Sequence, residues 1–143
     1  MKKIMISIAA VCCIFTAAAK VPSGWTTNYD AALKQAKAEK KKVLILFTGS
    51  DWCSWCKQLR KNVLDKGVFE KYAKENLVLV YFDFPNNRKI ANSQMGIQQS
   101  MAKKFGIKGF PTTVVIDAQG RKLLAIEGYL PLNDYLKKLE SVK

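Results

Sequence analysis

Cys53-Ser54-Trp55-Cys56 places two thiols three residues apart. A thiol reacts as its thiolate, which can attack a disulfide, form a mixed disulfide and be displaced again. The pair follows an apolar run, Val43 to Phe47, and opens a stretch of helical periodicity. On the first turn of a helix this spacing puts both side chains on one face, about 5–6 Å apart. A disulfide tolerates that Cα separation, so the pair can close and open without rebuilding the backbone. Unpaired N–H groups and the positive end of the helix dipole lie near Cys53 and favour its ionisation. An unperturbed thiol is about 3% ionised at neutral pH, and about 2 kcal/mol of stabilisation brings it to roughly half. The expected chemistry is dithiol–disulfide exchange. Cys53, nearer the helix end and expected to be exposed, is the attacking thiol, and Cys56, one turn inward, is the resolving one.

The elements that must position this pair can be read from the apolar pattern. Lys20 to Thr27 reads as an extended lead-in with a Pro-Ser-Gly turn, and Asn28 as the cap of a helix running to about Lys40. Val43 to Phe47 is apolar without alternation, as in a central strand buried on both faces. The stretch from Cys53 to about Leu64 predicts a helix with Cys56, Leu59 and Val63 facing inward, broken at Asp65-Lys66-Gly67. A short helical piece over Val68–Lys74, a strand over Leu77–Phe84 and a helix around Gln94–Phe105 follow. A hairpin of Thr112–Asp117 with Lys122–Glu127 comes next, then a last helix over Pro131–Leu139. The strands joined through a helix should pair in parallel and the hairpin antiparallel. The predicted class is α/β, with a mixed central sheet and helices on both faces. The reactive pair lies at the carboxyl end of the first core strand, where open α/β sheets present reactive groups.

The chain has 143 residues, 49% of them hydrophobic, which suits one domain with a real core. Residues 1–19 read as an export signal: Lys2 and Lys3 at the start, an apolar stretch from Ile4 to Phe15, then Ala17-Ala18-Ala19 as a cleavage pattern. The apolar core is short for a membrane span. Residues 20–143 then form the mature domain, periplasmic or secreted from a bacterium, with no stable membrane insertion after signal removal. Lipid attachment at Cys12 or Cys13 is disfavoured, because Ala9-Ala10-Val11 fits a lipobox poorly. Two of the four cysteines fall in that leader, so a disulfide framework is not expected. The net charge is +13, yet the lysines are spread over helix faces and loop ends; Lys40-Lys41-Lys42 is the tight cluster, at a helix end where cations suit the dipole. A solvated surface is expected rather than a nucleic-acid partner.

Trp52 and Trp55 flank the pair. Both could form an apolar rim for a partner peptide; Trp52 fits simple packing equally well, and Trp55 is expected to be exposed. Gly109-Phe110-Pro111-Thr112 leads into a strand. Proline there can hold a cis bond, though a plain turn is the simpler reading of the residues alone.

Trp52-Cys53-Ser54-Trp55-Cys56-Lys57, the βαβ order around it, and Gly109-Phe110-Pro111-Thr112 before the hairpin together resemble the thioredoxin superfamily. The resemblance covers roughly Asn28 to Lys143. The pattern Phe47 to Cys53 and the long segment after Asp83 are most similar to secreted bacterial thioredoxin-like proteins and to the periplasmic C-terminal domain of the Dsb transmembrane electron carrier. The resemblance implies a thioredoxin-like fold and a cis Pro111. It also implies substrate-chain pairing with the backbone at Phe110, and exchange with protein thiols and disulfides reset by an upstream redox partner. No metal or other cofactor is implied beyond the redox-active pair itself, and a monomer is expected.

The departures from the family bear on mechanism. Its buried aspartate in the first core strand is replaced by Leu46 or Phe47, and its lysine in the next strand is missing, with Leu79 nearest. Asp51 could accept the proton instead, although a solvated loop carboxylate is the simpler role. No histidine lies between the cysteines, which points to a reductant or weakly poised exchanger rather than a strong oxidant. The segment Asn86–Ser100, longer than in a minimal thioredoxin, is expected to be a solvated loop with an extended helix, away from the chemistry; a partner-binding insertion is the other reading. Two rival functions remain open on sequence: a copper(I) or other metal-binding module using Cys53 and Cys56, and a non-catalytic binding domain with a structural disulfide.

Overall fold

The computed structural model describes residues 21–142. The expected signal segment and Cys12 and Cys13 lie outside the described residues. Among those described, five strands form one sheet: β1 (Trp25–Thr26), β2 (Lys42–Thr48), β3 (Leu77–Asp83), β4 (Thr112–Ile116) and β5 (Lys122–Glu127), in the order β1-β3-β2-β4-β5. β2 pairs in parallel with β3 and antiparallel with β4, and β4 pairs antiparallel with β5. The sheet is mixed, as the strand order predicts.

β2 is central because its sequence leaves no other choice. Val43 to Phe47 are all buried, so both faces of the strand need cover. Leu44 and Leu46 pack on one side with Leu59, Val63, Phe69, Tyr81 and Tyr135. Val43, Ile45 and Phe47 pack on the other with Val80, Phe82, Phe105 and Val114. The first side is covered by α2 (Ser54–Leu59), α3 (Gly67–Asn76) and α5 (Leu132–Glu140), the second by α1 (Tyr29–Glu39) and α4 (Asn92–Phe105).

Local chemistry sets the helix ends. Asn28 caps α1 by accepting the Ala31 N–H at 2.9 Å, and Lys40 closes it in the left-handed conformation at φ 55°. Gly106, with φ 70°, closes α4 in the same way. Lysines serve helix C-termini: Lys41 Nζ donates to Lys74 O at 2.8 Å, and Lys122 Nζ reaches Phe105 O at 3.5 Å.

Three features differ from the sequence expectation. The lead-in contains β1, which pairs in parallel with β3; two residues are too few to carry a periodic signal. The helix expected over Cys53–Leu64 changes after Leu59 into a π-helical turn, Arg60–Leu64, closed by Asp65 N–H to Arg60 O at 2.8 Å. The wider turn lets Leu64 join Leu59 and Val63 among buried residues, so core packing overrides regular helix geometry. Beyond it, α3 starts at Gly67 and runs to Asn76, longer than the piece the sequence suggests.

Candidate active site

β2 ends at Thr48, and the chain turns through Gly49–Trp52 before α2 begins. Cys53 is the N-cap of α2, extended at φ −87° and ψ 110°, and its Sγ accepts the Cys56 N–H at 3.2 Å. The Cys53 N–H donates to Gly49 O at 2.9 Å. Cys53 and Cys56 are joined by a disulfide, with their Cα atoms 5.2 Å apart. The bond sits on the first turn, where the helix presents its free N–H groups. Against the expectation of an exposed Cys53, both cysteines are buried, at 7% and 4% exposure, because the disulfide lies under the turn, so access hardly separates them. Their neighbours do. Cys53 Sγ lies 3.7 Å from Phe110 O, toward the surface, whereas Cys56 Sγ accepts the Gly49 N–H at 3.5 Å from within.

The Phe110–Pro111 peptide bond is cis, and Pro111 is buried. The Gly128 N–H holds Pro111 O at 2.8 Å, and the Thr112 hydroxyl donates to Gly109 O at 2.7 Å. These bonds fix the loop whose carbonyl faces Cys53.

Aromatic side chains surround the pair. Trp52 is 45% exposed and Trp55 55%. Trp52 does two things at once: its Nε1 donates to Phe84 O at 2.7 Å, and its ring meets Phe110 edge-on at 6.0 Å. Phe110 in turn stacks on Phe84 at 5.0 Å, and Trp55 stacks on Tyr129 at 5.8 Å. The sequence reading therefore brings Trp52, Trp55, Phe110 and Pro111 to one place, but misses Phe84 and Tyr129. Each of those follows a strand end, Phe84 after Asp83 and Tyr129 after Glu127-Gly128, and that placement was the available signal. Gly49 is also specific to this site. A Cβ there would stand 2.6 Å from Trp52 Nε1, so only glycine lets the indole lie across the turn.

Among the described residues the buried carboxylate lies at the end of β3 and not within β2. Leu46 and Phe47 are buried in opposite halves of the core, but Asp83, the last residue of β3, is 2% exposed. Its carboxylate accepts the Ser50 N–H at 2.9 Å and the Ser50 hydroxyl at 2.5 Å, and pairs with Arg88. Asp51 is a partly exposed loop carboxylate with fixed partners. It accepts the N–H groups of Asn86 at 3.0 Å and Asn87 at 2.7 Å. Those two bonds, Asn86 first, hold its carboxyl below the usual carboxylate range. A group depressed in this way contributes stability above its unfolded value near 3.8, lost as pH falls through the lower folded value. The contact is therefore fully formed at neutral pH. It also ties the start of the Asn86–Ser100 segment to the loop before Cys53. The N–H groups of its first two residues, Asn86 and Asn87, are satisfied there by the Asp51 carboxylate.

Among the described residues, no group of three or more His, Cys, Asp or Glu side chains is placed to hold a metal ion, and no helix is long and apolar enough to cross a membrane.

A family model described as a thioredoxin-like domain matches residues 29–143. The disulfide bond reductase DsbH of Chlamydia pneumoniae is 33% identical over 116 residues, a match covering 80% of this chain and 69% of that protein. The thiol:disulfide interchange protein DsbD of Campylobacter jejuni is 26% identical over 117 residues; the match takes in 81% of this chain and only 19% of DsbD. The solved structure of a DsbH oxidoreductase superposes with a TM-score of 0.77 at 28% identity, covering 99% of this chain and 94% of its own.

Proposed function

This chain belongs to the thioredoxin-like domain family, and from that membership we propose that it is an exported thiol–disulfide oxidoreductase working on protein substrates. The observation that carries the reading is the Cys53–Cys56 disulfide across the cap and first turn of α2, with Phe110 O 3.7 Å from Cys53 Sγ. A link in that position is held by one short turn and faces a backbone strand end at which a substrate chain can lie.

In the reducing direction, the Cys53 thiolate attacks one sulfur of a substrate disulfide. A mixed disulfide forms and the other substrate sulfur leaves as a thiolate, which takes up a proton. The Cys56 thiolate then attacks Cys53 Sγ, the second substrate sulfur leaves, and the Cys53–Cys56 bond is made. Two electrons pass from this chain to the substrate, and an upstream redox partner must return them. Ser54-Trp55 between the cysteines, with no histidine, supports a reductant or weakly poised exchanger. The similarity to a protein named as a disulfide bond reductase supports the same direction. The leader-like residues 1–19 support export to a bacterial periplasm or beyond. The spread of lysines supports no nucleic-acid role.

An insulin-reduction assay with a dithiol donor tests the activity, and redox titration of the pair tests its direction. The reading expects turnover and a potential near that of thioredoxin, about −270 mV; a value near −120 mV would mark an oxidant instead. A pair that mild dithiol treatment cannot reduce in the native fold would make the disulfide structural.

Trp52, Trp55, Phe110 and Pro111 form the substrate-binding rim. Trp55→Ala removes an exposed ring stacked on Tyr129. It should raise KM for a protein disulfide by about fivefold, the size of one aromatic contact, and leave kcat and the rate with a small disulfide unchanged. Equal loss on both substrates would place Trp55 outside the binding rim.

A further inference from the structure

We propose that Phe84 is a positioning residue for Phe110: its ring and its carbonyl together hold the residue whose backbone lies beside Cys53 and receives the substrate chain. The proposal rests on the oxidoreductase reading above. The bonds from the Gly128 N–H to Pro111 O and from the Thr112 hydroxyl to Gly109 O fix the loop on either side of Phe110. At Phe110 itself the backbone is left open. Its carbonyl faces Cys53 Sγ at 3.7 Å, and a disulfide sulfur has no proton to donate. Its N–H has no acceptor among the described residues. Both groups are thereby left for a partner chain, and Phe110 is held through its ring instead.

Both aromatic contacts of that ring lead back to residue 84. The Phe84 ring stacks on it, with centroids 5.0 Å apart and planes 22° apart. The Trp52 ring meets it edge-on at 6.0 Å, and the Trp52 indole is itself fixed by Nε1 donating to Phe84 O at 2.7 Å. Phe110 thus sits in a corner with a face on one side and an edge on the other, both arrangements that aromatic pairs favour. Phe84 is fixed in turn. Its N–H donates to Thr48 O at 2.8 Å, where β2 ends, and Asp83 before it closes β3. Pro85 after it confines its backbone to the extended region. One residue therefore carries the order of the sheet to the loop across from the sulfurs. A backbone already held in place loses less freedom when a substrate chain pairs with it. The effect of the Phe84 ring falls on binding rather than on the sulfur chemistry.

The test reads binding and chemistry apart. Phe84→Ala removes the ring but keeps the main-chain bonds to Thr48 and Trp52. It should raise KM for a protein disulfide about fivefold, with kcat and the rate on a small aliphatic disulfide unchanged. Phe84→Tyr keeps the stack and should stay within about twofold of wild type. In a Phe110→Ala background, Phe84→Ala should add less than about twofold, because effects that run through one shared partner are not additive. Order at the loop gives a reading that needs no turnover. The NMR order parameter of the Phe110 amide should fall from about 0.85 toward about 0.6 in Phe84→Ala and stay high in Phe84→Tyr. An unchanged KM in folded Phe84→Ala, an equal loss on the small disulfide, or the full effect surviving in the Phe110→Ala background overturns the proposal. So does an unchanged order parameter at Phe110. If circular dichroism shows Phe84→Ala unfolded, Phe84→Leu replaces it under the same criteria, with a rise in KM of about threefold. Wild-type protein that never turns over insulin would defeat the oxidoreductase reading itself, while the order parameters would still decide whether Phe84 holds Phe110.

Discussion

Cys53→Ser should abolish disulfide exchange altogether, and Cys56→Ser should convert the protein into a trap. The asymmetry follows from position. Cys53 caps α2 and faces the Phe110 carbonyl at the rim, whereas Cys56 is one turn inside with its sulfur against Gly49. A serine hydroxyl at position 53 is barely ionised at neutral pH and cannot make the first sulfur–sulfur bond, so insulin reduction should drop to the uncatalysed background. At position 56 the first bond still forms, but no second sulfur is in reach to release it. Cys56→Ser expressed in the native host should therefore carry its partners as adducts that dissolve on adding dithiol. Mass spectrometry of those adducts would identify the substrates directly. Exchange surviving in Cys53→Ser, or a Cys56→Ser protein that gathers no adducts, would overturn the assigned roles.

Phe69→Ala should be the most damaging single change away from the sulfurs. Phe69 is fully buried on α3, between the sheet and α5, where its ring meets Tyr135 edge-on at 6.1 Å. Tyr135 cannot swing in to fill the gap, because its hydroxyl is bound to Thr113 at 2.7 Å. Burial also pushes that phenol well above its ordinary range, so it stays neutral and bonded at any physiological pH. Truncation therefore leaves a cavity, and the loss should be about 3–5 kcal/mol in denaturant unfolding. The reduction potential of the folded fraction should not move, since Phe69 touches neither cysteine. A loss below about 1 kcal/mol would mean that the site collapses freely.

Much of this was legible in the sequence because burial on two faces leaves a plain mark. Val43 to Phe47 reads as a central strand with no alternation, and the turn after it delivers Cys53 and Cys56 to a helix start. The hairpin around Ala118-Gln119-Gly120 and the Asn28 cap were equally visible, each depending on a few adjacent residues. What stayed hidden depends on contacts distant in sequence. Asp83 falls inside the expected strand Leu77–Phe84 with no role assigned to it, and only the fold shows Ser50 and Arg88 closing on it. The same holds for Asp51 with Asn86 and Asn87, which tie the start of the Asn86–Ser100 segment to the loop before Cys53. The π-helical turn was invisible because its cause, burial of Leu64 beside Val63, is a demand of the core rather than of the local residues.

β2 lies between β3 and β4, and the turn that carries the sulfurs continues straight from it. Amide protons of this strand can exchange with solvent only when the sheet itself comes apart, so it belongs to the last cooperative unit to open. Heat should thus silence the enzyme in a single step. No half-unravelled species with bare thiols would linger to cross-link its neighbours.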